Sequence, residues 1–245
     1  MAAFDHGLSL GADGVELDVH LSRDGVVVVH HDDSLERTTD AHGPVAARSA
    51  DELARVDAGY RFTPDSKAGA PAYPFRGQAI GVPRLRAVLE RHPAARIIIE
   101  LKTPDAELAR RTIDDIRAAG AIDRVVLGSF HGRALNAARR YEPRISTGAA
   151  SEETRWALYR SRVRWPLGRT KYREFQVPER SGATVIVTPQ FIAHAHRAGL
   201  PVRIWTVNER EDMVRLLEWG ADSVITDRPD VAVTTVREWA KNGRP

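Results

Sequence analysis

Cysteine is absent from this sequence of 245 residues. Its absence excludes a disulfide scaffold, a zinc–thiolate site, an iron–sulfur cluster and a cysteine nucleophile. Lysine is scarce as well, since four lysines stand against 32 arginines, and the formal net charge is only +3. A charge so close to neutral gives no indication of a nucleic-acid partner, and we expect none.

Long apolar runs are also missing. The four valines at 26–29 are typical of the longest uninterrupted runs, and they have the length of a strand rather than the roughly 20 residues of a membrane span. The opening text, MAAFDHGLSLGADG, has no basic region followed by an apolar stretch. We therefore expect no transmembrane segment, no signal peptide and a cytoplasmic location.

The apolar residues that are present follow two alternating patterns. Short β-branched runs predict strands at 14–20, 26–31, 96–102, 124–130, 144–148, 174–178, 202–208 and 223–227. Segments of helical period predict helices at 84–91, 106–119, 133–141, 189–197, 210–219 and 229–242. Repeated βα units indicate a parallel sheet, and their number favours a single (β/α) TIM barrel over residues 1–245. A doubly wound open sheet is the alternative, but neither GxGxxG nor GxxxxGK[ST] occurs.

Two segments interrupt the alternation. Residues 33–83 are long, polar and rich in glycine and proline, and they predict an insertion that caps one end of the barrel. Residues 155–173 (RWALYRSRVRWPLGRTKYR) hold seven basic residues with tryptophan and tyrosine between them. This composition suits contact with an anionic membrane or head group and, less well, a nucleic acid. A solvated helix and loop is the other interpretation, which the abundance of arginine throughout the chain favours.

Acidic residues end two of the predicted strands. Glu16 and Asp18 lie two apart in GVELDVHL, and Glu100 and Lys102 lie two apart in RIIIELKTP. Residues i and i+2 of a strand share a face, and polar residues at the carboxyl ends of barrel strands build active sites. An internal ion pair such as Glu100 with Lys102 explains either pair alone. Both pairs together favour a site, and three carboxylates favour Mg²⁺ or Ca²⁺ over zinc.

Histidine follows the run of four valines. Asp24-Gly25 predicts a hairpin turn that returns this run towards the carboxylates. Alternation then points only one of His30 and His31 at the site, where an imidazole suits proton transfer near neutral pH. A rim histidine paired with Asp32 or Asp33 is the structural alternative.

The chain closely resembles the glycerophosphodiester phosphodiesterase family. The matching text is GADGVELDVHLSRDGVVVVHHDDSLERTTDAHGPV, RIIIELK, VLGSF, FQVP and VRIWTVNEREDMVRLLEWGADSVITDRPD. The resemblance implies a (β/α)₈ barrel whose metal carboxylates are Glu16, Asp18 and Glu100. It implies that His31 is a catalytic histidine, that Lys102 lies near the phosphate and that Trp205 lines the head-group pocket.

The implied reaction is metal-dependent hydrolysis of a small glycerophosphodiester to glycerol 3-phosphate and an alcohol. One histidine takes a proton from a glycerol hydroxyl while another protonates the leaving alcohol, with a cyclic phosphate as a candidate intermediate. The metal, Mg²⁺ or Ca²⁺, acts as Lewis acid and template.

The opening of the family pattern has no match in this text. Family members begin with a strand carrying His-Arg-Gly and a loop carrying Pro-Glu-Asn-Thr, whereas this sequence starts just past that point. We therefore expect a barrel short of its first strand, one catalytic histidine, an arginine and a glutamate. A misassigned start is the favoured explanation, and a degenerate relative or a strand supplied by another copy are the others.

Three functions remain open. The first is the glycerophosphodiester hydrolase. The second is a catalytically silent or impaired relative that binds phosphodiesters or proteins, and the third is a phosphodiesterase of lysophospholipids or phosphoinositides. The head group, the metal and the oligomeric state are not fixed by the sequence, and peripheral membrane contact fits residues 155–173.

Overall fold

A computed structural model describes residues 1–63 and 73–241 of the chain. The α-helices are Ala2–Leu10 (α1), Ala50–Leu53 (α2), Leu85–Arg91 (α3), Ala106–Ala118 (α4), Gly132–Tyr141 (α5), Ser151–Arg162 (α6), Pro189–Arg197 (α7), Arg210–Glu218 (α8) and Pro229–Lys241 (α9). The β-strands are Gly14–Leu21 (β1), Val27–Val29 (β2), Arg96–Leu101 (β3), Val125–Gly128 (β4), Ser146–Thr147 (β5), Phe175–Pro178 (β6), Arg180–Ser181 (β7), Thr184–Val185 (β8), Val202–Trp205 (β9) and Ser223–Val224 (β10). Residue 242 of the last predicted helix and residues 64–72 of the predicted insertion lie outside the described residues. Among the described helices, none combines the length and hydrophobicity needed to cross a bilayer.

Seven strands run parallel in the order in which they occur in the chain. β1 pairs with β3, β3 with β4 and β4 with β5. β6 pairs with β9 and β9 with β10, and a bridge between Gly148 and Glu174 joins the two sheets. Helices separate these strands along the sequence, so the architecture is the predicted α/β barrel of TIM type.

The barrel has one open seam. Within the described residues, no backbone pairing joins β10 to β1, so seven parallel strands stand where a complete TIM barrel has eight. This agrees with the expectation of a barrel short of one strand. The outer layer continues across the seam, because α1 contacts α9 and Asp5 on α1 forms a two-pronged ion pair with Arg91 at the end of α3.

Alternation along each strand separates the outer core from the barrel interior. On β3, Ile97, Ile99 and Leu101 are almost completely buried against helices, whereas Ile98 and Glu100 occupy the opposite face. Burial of one such aliphatic side chain contributes roughly 1.5–3 kcal/mol. The strand's outer face therefore holds it in the sheet while its inner face is left free for polar groups.

A small separate core supports the segment between β1 and β3. The Asp24-Gly25 turn, with Gly25 at φ +73°, returns the chain so that β2 pairs antiparallel with β1. Val28 on β2 is fully buried with Leu35, Val45 and Leu53 of the insertion. This cluster fixes the position of the residues that follow β2.

A polar network fills part of the barrel interior at β6 and β9. The buried carboxylate of Glu174 accepts hydrogen bonds from Arg203 Nε at 2.9 Å and Gln176 Nε2 at 2.8 Å. Gly148 leaves room for the Gln176 side chain, since a Cβ at residue 148 would lie 3.1 Å from its amide carbon. The network therefore depends on the absence of a side chain at residue 148 as well as on its charged residues.

The observed elements differ from the predicted ones mainly at strand ends. Strands predicted at 144–148 and 223–227 are paired over only two residues each, because the sequence alternation continues past the point where neighbouring strands supply backbone partners. The α6 helix and the β7–β8 hairpin were not predicted as defined elements.

Candidate active site

Three carboxylates converge at one end of the barrel. β1 and β3 are neighbours in a register that places Asp18 opposite Glu100 and Glu16 opposite Ile98. Alternation points Glu16 and Asp18 to the interior face, away from the buried Leu17 and Val19. One oxygen from each of the three carboxylates lies within 4.8 Å of the others. The residues predicted as metal ligands are therefore together in space.

Burial and neighbouring negative charges raise the pKa values of two carboxylates in this cluster. Burial, followed by the charges of Asp18 and Glu100, raises the pKa of Glu16 to about 8. Burial also raises the pKa of Glu100, although Lys102 opposes the shift. The cluster has more negative charge than the protein interior tolerates without a cation.

Lys102 supplies part of that positive charge. Its Nζ lies 2.8 Å from Asp18 Oδ1 and 3.5 Å from Glu100 Oε1. Burial alone would lower the pKa of Lys102, but its hydrogen bond to Asp18 and the charges of Asp18 and Glu100 raise it. One ammonium group does not neutralise three carboxylates, so a divalent cation would balance the remaining negative charge. A set of ligands made only of oxygen atoms suits Mg²⁺ or Ca²⁺. The residues present thus fit a hard divalent ion.

His31 faces the same cavity as the carboxylates. Its Nδ1 lies 2.6 Å from Asp32 Oδ1, so this nitrogen donates to the carboxylate and Nε2 is left to exchange a proton. Arg37 donates two hydrogen bonds to the Asp32 carboxylate, from Nε at 2.5 Å and from Nη2 at 2.9 Å. The Arg37 hydrogen bonds, reinforced by His31, hold the pKa of Asp32 well below its usual range. Asp32 is therefore an anion that orients the imidazole.

Two further histidines hold the loop that carries His31. The buried His30 contacts the Asp32 carbonyl through Nδ1 at 2.8 Å and Thr38 through Nε2 at 3.2 Å. His20, also buried, contacts the His31 carbonyl at 3.4 Å, and burial lowers its pKa. Of the two adjacent histidines, His31 is the one on the cavity, and His30 supports the backbone.

Aromatic side chains line another part of the cavity. Trp205, at the end of β9, meets Phe130 edge to face with ring centroids 5.8 Å apart. The cavity has a volume of about 2850 Å³, and its lining includes both strands at the open seam as well as Phe62 and Phe75 of the insertion. Trp205 thus shares one large cavity with the carboxylates, Lys102 and His31.

Sequence reasoning missed Asp32, Arg37 and Phe130. The spacing of Asp32 and Arg37 in HDDSLER gives no periodic signal, because the two meet across a turn rather than on one face. The sequence had offered Asp32 only as a partner of a rim histidine. The aromatic contact of Phe130 with Trp205 joins the ends of two strands that are distant in sequence.

Comparison with known proteins identifies relatives over nearly the whole chain. The family model described as "Glycerophosphoryl diester phosphodiesterase family" matches residues 1–231. A glycerophosphodiester phosphodiesterase of Bacillus altitudinis is 32% identical over 251 residues, covering 98% of this chain and 93% of the relative. One from Caldanaerobacter subterraneus is 28% identical over 243 residues, covering 97% and 91%.

Solved structures share the fold at lower sequence identity. A glycerophosphodiester phosphodiesterase from Agrobacterium tumefaciens superposes with a TM-score of 0.72 at 24% identity, covering 95% of this chain and 91% of that one. A phosphodiesterase from Oleispira antarctica, solved in complex with the product sn-glycerol-3-phosphate, gives 0.74 at 22% identity, with coverage of 96% and 89%.

Proposed function

The chain belongs to the glycerophosphoryl diester phosphodiesterase family and is a phosphoric diester hydrolase, and from this premise we propose how its residues hydrolyse a glycerophosphodiester. Water cleaves the bond between phosphorus and the alcohol oxygen, yielding glycerol 3-phosphate and the alcohol. The observation that carries the proposal is the convergence of Glu16, Asp18 and Glu100 beside His31 on one cavity.

The three carboxylates are the proposed ligands of a divalent cation, Mg²⁺ or Ca²⁺. Such an ion, when bound, supplies Lewis-acid polarisation of a phosphoryl oxygen and a template for the substrate. Lys102, held by Asp18 and Glu100, adds a second positive charge where the phosphate would bind. Together these charges compensate the cluster and attract an anionic diester.

His31 is the proposed proton carrier. The leaving alcohol needs a proton as its bond to phosphorus breaks, and we assign that proton to Nε2 of His31, since Nδ1 is occupied by Asp32. Asp32 stabilises the imidazolium form and fixes the ring, while Arg37 fixes Asp32. Trp205 and Phe130 offer apolar contact for the carbon atoms of glycerol or of the alcohol.

We propose one domain over residues 1–245, in which the described part of the 33–83 insertion covers the cavity, because Gly59, Phe62 and Phe75 line it. The cytoplasmic location stays a prediction.

The decisive test follows glycerol 3-phosphate release from glycerophosphocholine in metal-free, Mg²⁺- and Ca²⁺-containing buffer. We expect turnover only with a cation, and a loss of about 10²- to 10⁴-fold in His31→Gln, the range for removal of one acid–base group. Glu100→Gln should lose cation binding by calorimetry as well as turnover. His42→Gln, at an exposed histidine that is not among the residues lining the cavity, is the matched control and should keep wild-type turnover.

The same measurements separate the enzyme from a silent relative. A chain that binds cation and glycerol 3-phosphate but releases no product in any buffer would favour the catalytically impaired alternative. Turnover that is indifferent to chelation would contradict the metal-dependent mechanism.

A further inference from the structure

The α6 helix presents an exposed apolar face that the rest of the chain leaves uncovered. Trp156, Tyr159 and Val163, at or just after the helix, are 65%, 59% and 53% exposed. Residues spaced i, i+3 and i+7 lie along one side of a helix. Ala157 and Ser161 occupy the opposite side and are buried. The large side chains therefore point outward because of the register of the helix.

A further large apolar side chain is exposed just after the helix. Trp165, two residues after Val163, is 65% exposed. Trp156 and Tyr159 contact each other edge to face at 6.1 Å, so they form a continuous ridge. Single exposed apolar residues are ordinary, but contiguous ones mark interaction sites.

Three exposed arginines lie beside these apolar residues in the chain. Among the described residues, Arg155, Arg162 and Arg164 form no ion pair, and all three are exposed. The acidic residues of α6 are confined to its first turn, where Glu153 pairs with Arg139. The exposed face thus carries three arginines and four large apolar side chains against one exposed carboxylate, Glu152 in the first turn of the helix. We call the residues Arg155, Trp156, Tyr159, Arg162, Val163, Arg164 and Trp165 the α6 surface.

We propose that the α6 surface docks on an anionic lipid bilayer. Tryptophan and tyrosine prefer the boundary between acyl chains and head groups, and basic side chains bind anionic head groups there. A protein partner would need carboxylates in register with each arginine, whereas a bilayer supplies negative charge at every position.

The position of α6 links docking to the active site. Leu158, Tyr159 and Arg162 line the cavity that also holds Glu100 and His31. Docking would bring the cavity to the lipid surface, where a glycerophosphodiester carrying an acyl chain could enter. This last consequence rests on the proposed function, whereas docking itself does not.

Vesicle sedimentation tests docking directly. The full chain is mixed with phosphatidylcholine vesicles, with or without phosphatidylglycerol, at low and high salt. We expect binding only to the anionic vesicles, and its loss at high salt. Each basic residue near such a surface strengthens binding about fivefold, so Arg155→Gln/Arg162→Gln should bind about 25-fold more weakly. Trp156→Ser/Trp165→Ser should also bind more weakly.

Arg133→Gln/Arg140→Gln is the matched control, because it removes the same charge from exposed positions on α5 that, among the described residues, form no ion pair. Equal weakening in this control would overturn the proposal in favour of non-specific attraction. Binding to neutral and anionic vesicles alike would also overturn it. A third result would also overturn it. If the wild-type chain self-associates, and Trp156→Ser/Trp165→Ser abolishes self-association but leaves vesicle binding unchanged, then a second copy of the chain covers the surface.

An activity measurement keeps this proposal distinct from the proposed function. Trp156→Ser/Trp165→Ser should turn over dissolved glycerophosphocholine at the wild-type rate but lose turnover of an acyl-bearing glycerophosphodiester presented in anionic vesicles. Vesicle binding by a wild-type chain that hydrolyses neither substrate would uphold docking while contradicting the proposed function.

Discussion

At the scale of single residues, the site depends on how Asp32 holds His31. A carboxylate that binds Nδ1 selects the ring tautomer and stabilises the imidazolium, as the aspartate of a serine-protease triad does. Arg37 completes the arrangement, because its two nitrogens leave the Asp32 carboxylate little freedom to turn. Loss of the negative charge should therefore damage proton transfer more than substrate binding.

Asp32→Asn tests this relation. We expect kcat to fall about 10²- to 10⁴-fold with a small change in KM, because the imidazolium loses its counter-charge and its fixed orientation. Asp33→Asn is the matched control, since the Asp33 side chain is 90% exposed and only approaches His20 at 3.7 Å. An Asp32→Asn enzyme with wild-type kcat at every pH would refute the positioning role.

At the scale of elements, the faces of the strands followed from the sequence and their ends did not. The i, i+2 spacing in GVELDVHL predicted that Glu16 and Asp18 share a face, and both lie on the face of β1 opposite the buried Leu17 and Val19. The pairing of β5 and β10 over two residues could not be predicted, because it depends on the length of neighbouring strands. The exposure of α6 depends likewise on the helices beside it.

The junction of β6 and β9 offers a stability prediction. Glu174 is buried with its side chain 5% exposed and is paired with Arg203. Arg203→Met would leave the carboxylate without its cation and should destabilise the fold by about 3 kcal/mol, measured by urea unfolding. The double change Glu174→Gln/Arg203→Met should recover much of that loss.

A surface pair provides the comparison for this experiment. Arg210 and Glu238 are ion-paired with both side chains 50% exposed, so Arg210→Met should cost less than about 1 kcal/mol. Equal losses at the two sites would mean that burial of Glu174 adds nothing to the strength of its pairing.

At the scale of the whole molecule, the carboxylate cluster makes the free energy of unfolding depend on pH. The pKa of Glu16 is raised to about 8 in the folded chain and returns to its ordinary value, near 4.3, on unfolding. Between these values the folded state binds more protons than the unfolded state. Protonation of Glu16 therefore makes its full contribution to the free energy of unfolding below about pH 4.3. That contribution decreases as pH rises and is lost once pH passes about 8.

Thermal unfolding of the chelator-treated protein measures this effect. From pH 5 to 8 the free energy of unfolding should fall, by at most about 1.4 kcal/mol per pH unit for one proton. The slope should be smaller in Glu16→Gln, and saturating Mg²⁺ at pH 8 should raise the unfolding temperature of the wild type. Parallel pH dependences in the two proteins would contradict the assignment to Glu16.

The sequence by itself determined the barrel class, the inward faces of β1 and β3, and the side chains available for chemistry, because these follow from local periodicity and residue type. Only the tertiary structure decided that Asp18 pairs in register with Glu100 and that Arg37 anchors Asp32. It also decided which side of α6 remains exposed. These distances join residues far apart in the chain, and they are set by the packing of whole elements rather than by the neighbours of each residue.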